Sequence, residues 1–175
     1  MEATHRPSVL REFAVALYGS DGVSPACLRL QERHAVDVNV VLFAAFAGAA
    51  ARRTLTPDDV TLVRRQVSRW HSEVVLPLRE VRRRLKVGPP PAPNEATAQL
   101  RAAVQQSEIN AELIELDELA RFTADIGTES VAAEPVDRAF AATTTAIRTY
   151  GDPDTSDLRD AKVIATAAAV LTEPR

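Results

Sequence analysis

An all-α fold is expected for this chain, and three observations predict it. No stretch alternates polar and apolar residues with a period of two; several carry apolar residues at steps of three and four; and helix start signals stand at the right places, with Ser24 before Pro25, Thr56 before Pro57 and Asn94 after a run of prolines. The architecture these elements imply is a compact helical bundle around one long Pro-kinked helix, with additional C-terminal helices.

The first helix is expected over residues 7–18, with Leu10, Phe13, Ala14 and Leu17 on one face, ending at Gly19 before the turn-forming Ser20, Asp21 and Gly22. Ser24 then caps a short helix that has Pro25 in its first turn, where the missing N–H costs nothing, and that ends near His34. A third helix is expected over residues 37–53. Its Asp37 carboxylate can accept backbone N–H groups and face the positive end of the helix dipole. Asn39 shares a face with Phe43 and Phe46, so its amide requires a buried polar partner.

The fourth helix is expected over residues 57–86. Thr56 is its cap, Pro57 its first residue, and Asp58 and Asp59 lie in its first turn. The apolar stripe is Val60, Val63, Val67, Trp70, Val74, Leu78, Val81 and Leu85, with one extra residue between Val74 and Leu78, where Pro77 falls. Pro77 removes a backbone hydrogen bond and clashes with the carbonyl four residues back, which predicts a kink.

GPPPAP, residues 88–93, is stiff and extended and reads as a spacer. It divides the chain into an expected helical core domain, 1–87, and an acidic helical C-terminal segment, 94–175. That segment reads as helices over 94–122, 135–150 and 158–171, with a loop at GTESVAAEP.

At 175 residues and 46% apolar content the chain can bury a real core. Cys27 is the lone cysteine, so no intramolecular disulfide forms, and it is expected as buried packing in a reducing, cytoplasmic setting. The first twenty residues lack a signal pattern. The longest apolar run, 40–51, falls short of the roughly 20 residues of a membrane span, so no membrane partner is expected. The net charge of -3 hides an asymmetry: residues 52–86 carry 10 basic and 4 acidic side chains, residues 87–175 carry 7 and 15.

The stretches FAVALYGSDGVSPACLRLQERHAVDVNVVLF and WHSEVVLPLREVRRRLK resemble, in order and spacing, a family of short, mostly proteobacterial helical proteins known only as a domain of unknown function. The resemblance covers about residues 8–87. It implies a small cytoplasmic helical protein and supplies no activity, cofactor or catalytic residue.

The candidate site is His34, Asp37 and Asn39 together with Trp70, His71 and Arg79. If the third and fourth helices pack antiparallel through the short TLTP connection, Asn39 lies opposite Trp70 and His71. One reading is a structural network, in which indole and imidazole partner a buried amide. The other is a pocket for a small anionic ligand, or a small enzyme, built on Asn39, His71 and Arg79. For a metal only His34, Asp37 and His71 offer ligands, with no Glu-x-x-His, HExxH or cysteine cluster, so neither a metal nor a cofactor is expected. Phosphate loops and nucleophile elbows are absent: there is no GxxxxGK[ST], GxSxG or GxGxxG.

Arg64, Arg65, Arg69, Arg82, Arg83, Arg84 and Lys86 form a basic patch that could neutralise phosphates. A pI of about 5.7 and the lack of a nucleic-acid-binding signature disfavour that partner. Pairing of these arginines with the acidic segment 108–118 is the simpler account. The expected function is a non-enzymatic binding or adaptor module, with an unidentified protein or a second copy of the chain as partner.

Overall fold

The computed structural model describes residues 8–130 and 134–173. Its elements are α1 (Val9–Tyr18), α2 (Val23–His34), α3 (Val38–Ala49), β1 (Arg53–Thr54), α4 (Pro57–Trp70), a π-turn (His71–Val75), α5 (Leu76–Val87), α6 (Glu95–Ala120), β2 (Thr128–Glu129), α7 (Pro135–Arg148) and α8 (Thr155–Val170). The fold is all-α, with one small antiparallel pair in which Arg53 faces Glu129 and Thr54 faces Thr128.

Helix α3 is apolar all round, and eleven of its twelve residues are buried, as a helix without a polar face must be. It packs most extensively against α7 and also touches α6, α1, α8, α2 and α4. The contact with α7 is close enough that a Cβ added to Gly48 would lie 2.5 Å from the Arg138 carbonyl oxygen and 2.7 Å from the Ala139 backbone. The Arg138 guanidinium in turn donates to the Gly48 carbonyl at 3.0 Å. Helix α8 lies on α2, and α6 lies on α5, so α6, α7 and α8 share one hydrophobic cluster with α1 to α4. Cys27 lies fully buried in that cluster, its thiol pushed up to about 12 by burial.

Helix α3 ends at Ala49 instead of reaching residue 53. Arg52 takes a positive φ of 55°, and the next two residues leave the helix to pair with β2. The start of the first helix at Pro7 lies outside the described residues, as do residues 131–133 of the GTESVAAEP loop. Helix α8 begins three residues earlier than its apolar pattern, because Asp154 accepts from the backbone N–H groups of Ser156 and Asp157 while Asp157 answers with a capping box.

Where a kink is expected the chain carries the π-turn, ending two residues before Pro77, in which the Leu76 N–H bonds to the His71 carbonyl five residues back. One extra residue turns the following face by about 100° relative to an uninterrupted helix. The buried side therefore passes from Val60, Val63 and Val67 to Val75 and then to Arg79, while Trp70 and Val81, both assigned to the inward stripe from spacing, are exposed. This rotation gives α5 an arginine-bearing inner face.

Candidate functional site

The residues that meet are Asp37, Asn39, His71 and Glu115. Asp37 is the N-cap of α3, and its Oδ1 accepts from the Asn39 backbone N–H at 2.9 Å. Asn39 is buried, as its position required, but its partner comes from α6: the amide donates to Glu115 Oε2 at 2.8 Å and to the Glu112 carbonyl at 3.1 Å. His71 opens the π-turn and sets Nδ1 at 3.2 Å from both Asp37 Oδ2 and Glu115 Oε1. Glu115 is completely buried.

The electrostatics follow from this geometry. Burial, reinforced by the nearby Glu115 charge, pushes the Asp37 carboxyl up to about 7. Burial opposes the His71 imidazolium, but the hydrogen bond it donates to Glu115 and the Asp37 charge outweigh it and hold its pKa above the ordinary value.

Next to it, α5 is fastened to α6. The Arg79 side chain donates to Glu108 at 2.9 Å and to Glu112 at 2.6 Å, and Arg82 donates to Glu108 as well. Burial raises the Glu108 pKa, yet the hydrogen bonds from Arg82 and Arg79 more than reverse this and leave it below its ordinary value. The expected pairing of arginines with the acidic segment is what these contacts are.

Two other candidates go elsewhere. Trp70 turns its indole to the Ala111 carbonyl of α6 at 3.0 Å instead of to Asn39, because α6 and not α4 lies over the start of α3. His34 pairs with Asp157 of α8 at 2.7 Å, in a network where Arg33 reaches Asp157 and Asp160 and Arg29 reaches Asp160. Of the basic patch, Arg64 stacks on the Tyr150 ring, 3.5 Å from its centroid, and donates to the Thr149 carbonyl. Arg69 pairs with Glu73 on the surface. Arg65, Arg83, Arg84 and Lys86 are exposed.

Asp37 and His71 form part of the wall of a cleft of about 1190 Å³. It is also lined by His34, Arg64, Arg65, Arg79, Arg83 and Tyr150, with Thr61 and Ser68 supplying hydroxyl groups and Leu28 and Leu76 apolar surface. A second cavity, of about 450 Å³, shares Asp37, His71, Arg79 and Arg83 with the first and adds Asn39, Glu108, Glu112 and Glu115. His71 and its acids therefore lie between two spaces.

These features define a helical bundle in which a buried acid–imidazole cluster stands beside an arginine-lined cleft. The chain belongs to the family described as protein of unknown function (DUF2390), which matches residues 10–119. The match runs past the proline spacer and includes Asp37, Asn39, His71, Arg79, Glu108 and Glu115, while Tyr150 and Asp157 lie beyond it. No curated protein and no solved structure matches the chain.

Glu115 is the site residue that sequence reasoning missed. A signal existed: Glu108, Glu112 and Glu115 recur at steps of four and three, the spacing of one helix face, and that face also carries Ala111 and Leu119. Three carboxylates on an otherwise apolar face mark a buried polar seam, whereas their place within an acidic run made them look like solvated surface.

Proposed function

We propose that this protein is a non-enzymatic binding module whose cleft holds a small anionic ligand of the phosphate or carboxylate class. The observation that carries this reading is the convergence of Arg64, Arg65, Arg79 and Arg83 on one concave surface, against the two acidic side chains Glu32 and Asp37. Guanidinium groups present paired N–H donors that match a carboxylate or phosphate edge, and a concave wall strengthens their combined field. Arg79 is held in place by Glu108 and Glu112, and Arg64 by Tyr150, so two of the four donors are positioned before a ligand arrives. The phenol of Tyr150 adds a neutral partner. The volume is that of a metabolite pocket open to solvent.

Nucleic acid is less well supported. Arg82 is committed to Glu108 of α6 and Arg69 to Glu73, which leaves fewer cations along the helix for the phosphates of a polymer.

Calorimetric titration with inorganic phosphate, pyrophosphate and citrate, at an ionic strength matched with chloride, tests the reading. At least one of the three binds with 1:1 stoichiometry, and the double variant Arg65→Gln with Arg83→Gln weakens it at least tenfold. If none binds beyond the chloride control, or if the double variant binds equally well, the proposal fails.

A further inference from the structure

The arrangement of Asp37, His71 and Glu115 has a feature that a hydrogen-bond network alone leaves unused. Each carboxylate is pinned through one oxygen by Asn39: the backbone N–H of Asn39 holds Asp37 Oδ1 at 2.9 Å, and its side-chain amide holds Glu115 Oε2 at 2.8 Å. The other oxygens, Asp37 Oδ2 and Glu115 Oε1, both turn to His71 Nδ1, each at 3.2 Å. One imidazole nitrogen cannot satisfy both at 3.2 Å, longer than the roughly 2.7–2.9 Å of a charge-assisted hydrogen bond, and the two carboxyl groups also stand within hydrogen-bonding reach of each other. Arg79, a cation close enough to act on His71, is already given to Glu108 and Glu112.

We infer that Asp37 Oδ2, His71 Nδ1 and Glu115 Oε1 form a binding site for a single divalent first-row metal ion, with its remaining coordination positions turned to the cleft. One ligand atom from each of the three residues lies within 4.8 Å of the other two. With metal–ligand bonds of about 2.1 Å, two donors 3.2 Å apart subtend about 100° at the metal, between the octahedral and tetrahedral values. One imidazole and two carboxylates form a set that suits zinc, iron(II) or manganese(II), and three protein ligands with an open position are the pattern of a site that receives a further ligand. Asn39 then acts as the outer partner that aims both carboxylates, the role hydrogen bonds to metal ligands commonly play. Access is present, since Asp37 and His71 line both cavities. His34, the other imidazole considered as a ligand from sequence, takes no part, because Asp157 holds it.

The test uses the full chain stripped with a chelator and exchanged into a buffer free of phosphate and polycarboxylates, so that it stands apart from the anion-binding reading. Zinc is titrated calorimetrically, and native mass spectrometry reports stoichiometry. One zinc per chain is expected at micromolar affinity or tighter. Glu115→Gln, which keeps an acceptor for Asn39, and His71→Gln each weaken it at least tenfold, while Asp125→Asn, an exposed acid, does not. Cobalt(II) substitution gives a visible absorption band that is lost with His71→Gln. Should Glu115→Gln fail to fold, His71→Gln and the cobalt spectrum decide alone. No stoichiometric uptake by the wild-type chain, or uptake unchanged in His71→Gln, overturns the inference.

Discussion

Replacing Glu108 by glutamine tests the fastening of α5 to α6 most sharply. Glu108 is 5% exposed and accepts from both Arg79 and Arg82, while Arg79 also holds Glu112. Removing one partner of a buried ion pair costs about 3–5 kcal/mol where the other charge is left stranded. Here Arg79 keeps Glu112, Arg82 reaches solvent and glutamine retains one acceptor oxygen, so the expected loss is about 2–3 kcal/mol. The pH dependence has a definite sign. The folded Glu108 carboxyl titrates below its ordinary 4.5, so its contribution is complete above pH 4.5 and is lost as the pH falls through the lowered folded value. The gap between wild type and Glu108→Gln is therefore constant from pH 8 to about pH 5 and closes in stronger acid. Urea unfolding followed by far-ultraviolet circular dichroism measures it. Trp70 fluorescence provides a second probe at the same interface, because its indole donates to the Ala111 carbonyl of α6. A loss below about 0.5 kcal/mol, the range of an exposed pair, or a gap that widens on acidification would show that Glu108 does not fasten α5 to α6.

Gly48→Ala is expected to destabilise despite a helix-propensity gain of about 1 kcal/mol, because its Cβ would overlap backbone atoms of α7 and overpacking costs about 1–3 kcal/mol or more; a urea midpoint that rises would show that α3 and α7 are not in this contact. Arg64→Ala removes the stacking on Tyr150 and the bond to the Thr149 carbonyl, for a loss of about 1–2 kcal/mol by thermal or urea unfolding, whereas Arg65→Ala, on the exposed side, changes stability by less than about 0.5 kcal/mol. Thr56→Ala dismantles the capping box of α4 and costs about 1 kcal/mol in the same assay, and Thr56→Ser restores most of it.

The helices were legible because their boundaries are written in local chemistry. Thr56 with Pro57, Asn94, and Asp37 are caps where the sequence places them, since a side chain bonding a backbone N–H two or three residues on needs no tertiary information; Ser24, expected as the cap of α2, instead lies inside that helix, whose N-cap is Gly22 with no side-chain capping bond. The burial of Asn39 and the approach of His71 to the start of α3 were also legible, from facial spacing and from distance along the chain to the turn. What escaped was which helix covers that spot. Asn39 was assigned an indole partner and has a glutamate, because α6 returns from beyond the spacer and lies where α4 was expected. The identity of the inner face of α5 was hidden for a different reason: the π-turn at His71–Val75 shifts the register by one residue, so Arg79 faces inward and Val81 outward. The short β pair depends on residues 53 and 129 meeting across 75 positions of chain, a contact no local pattern encodes.

The role proposed for the arginine-lined cleft is to hold a small anion. Its most direct measurement is a titration of the ¹⁵N-labelled chain with pyrophosphate, observing the Nε–H resonances of arginine at constant ionic strength. Saturable shifts of Arg64, Arg65, Arg79 and Arg83 together, following one binding curve, are the predicted result. Shifts that are absent, or that drift linearly and fall equally on Arg84 and Arg121 outside the cleft, would contradict it.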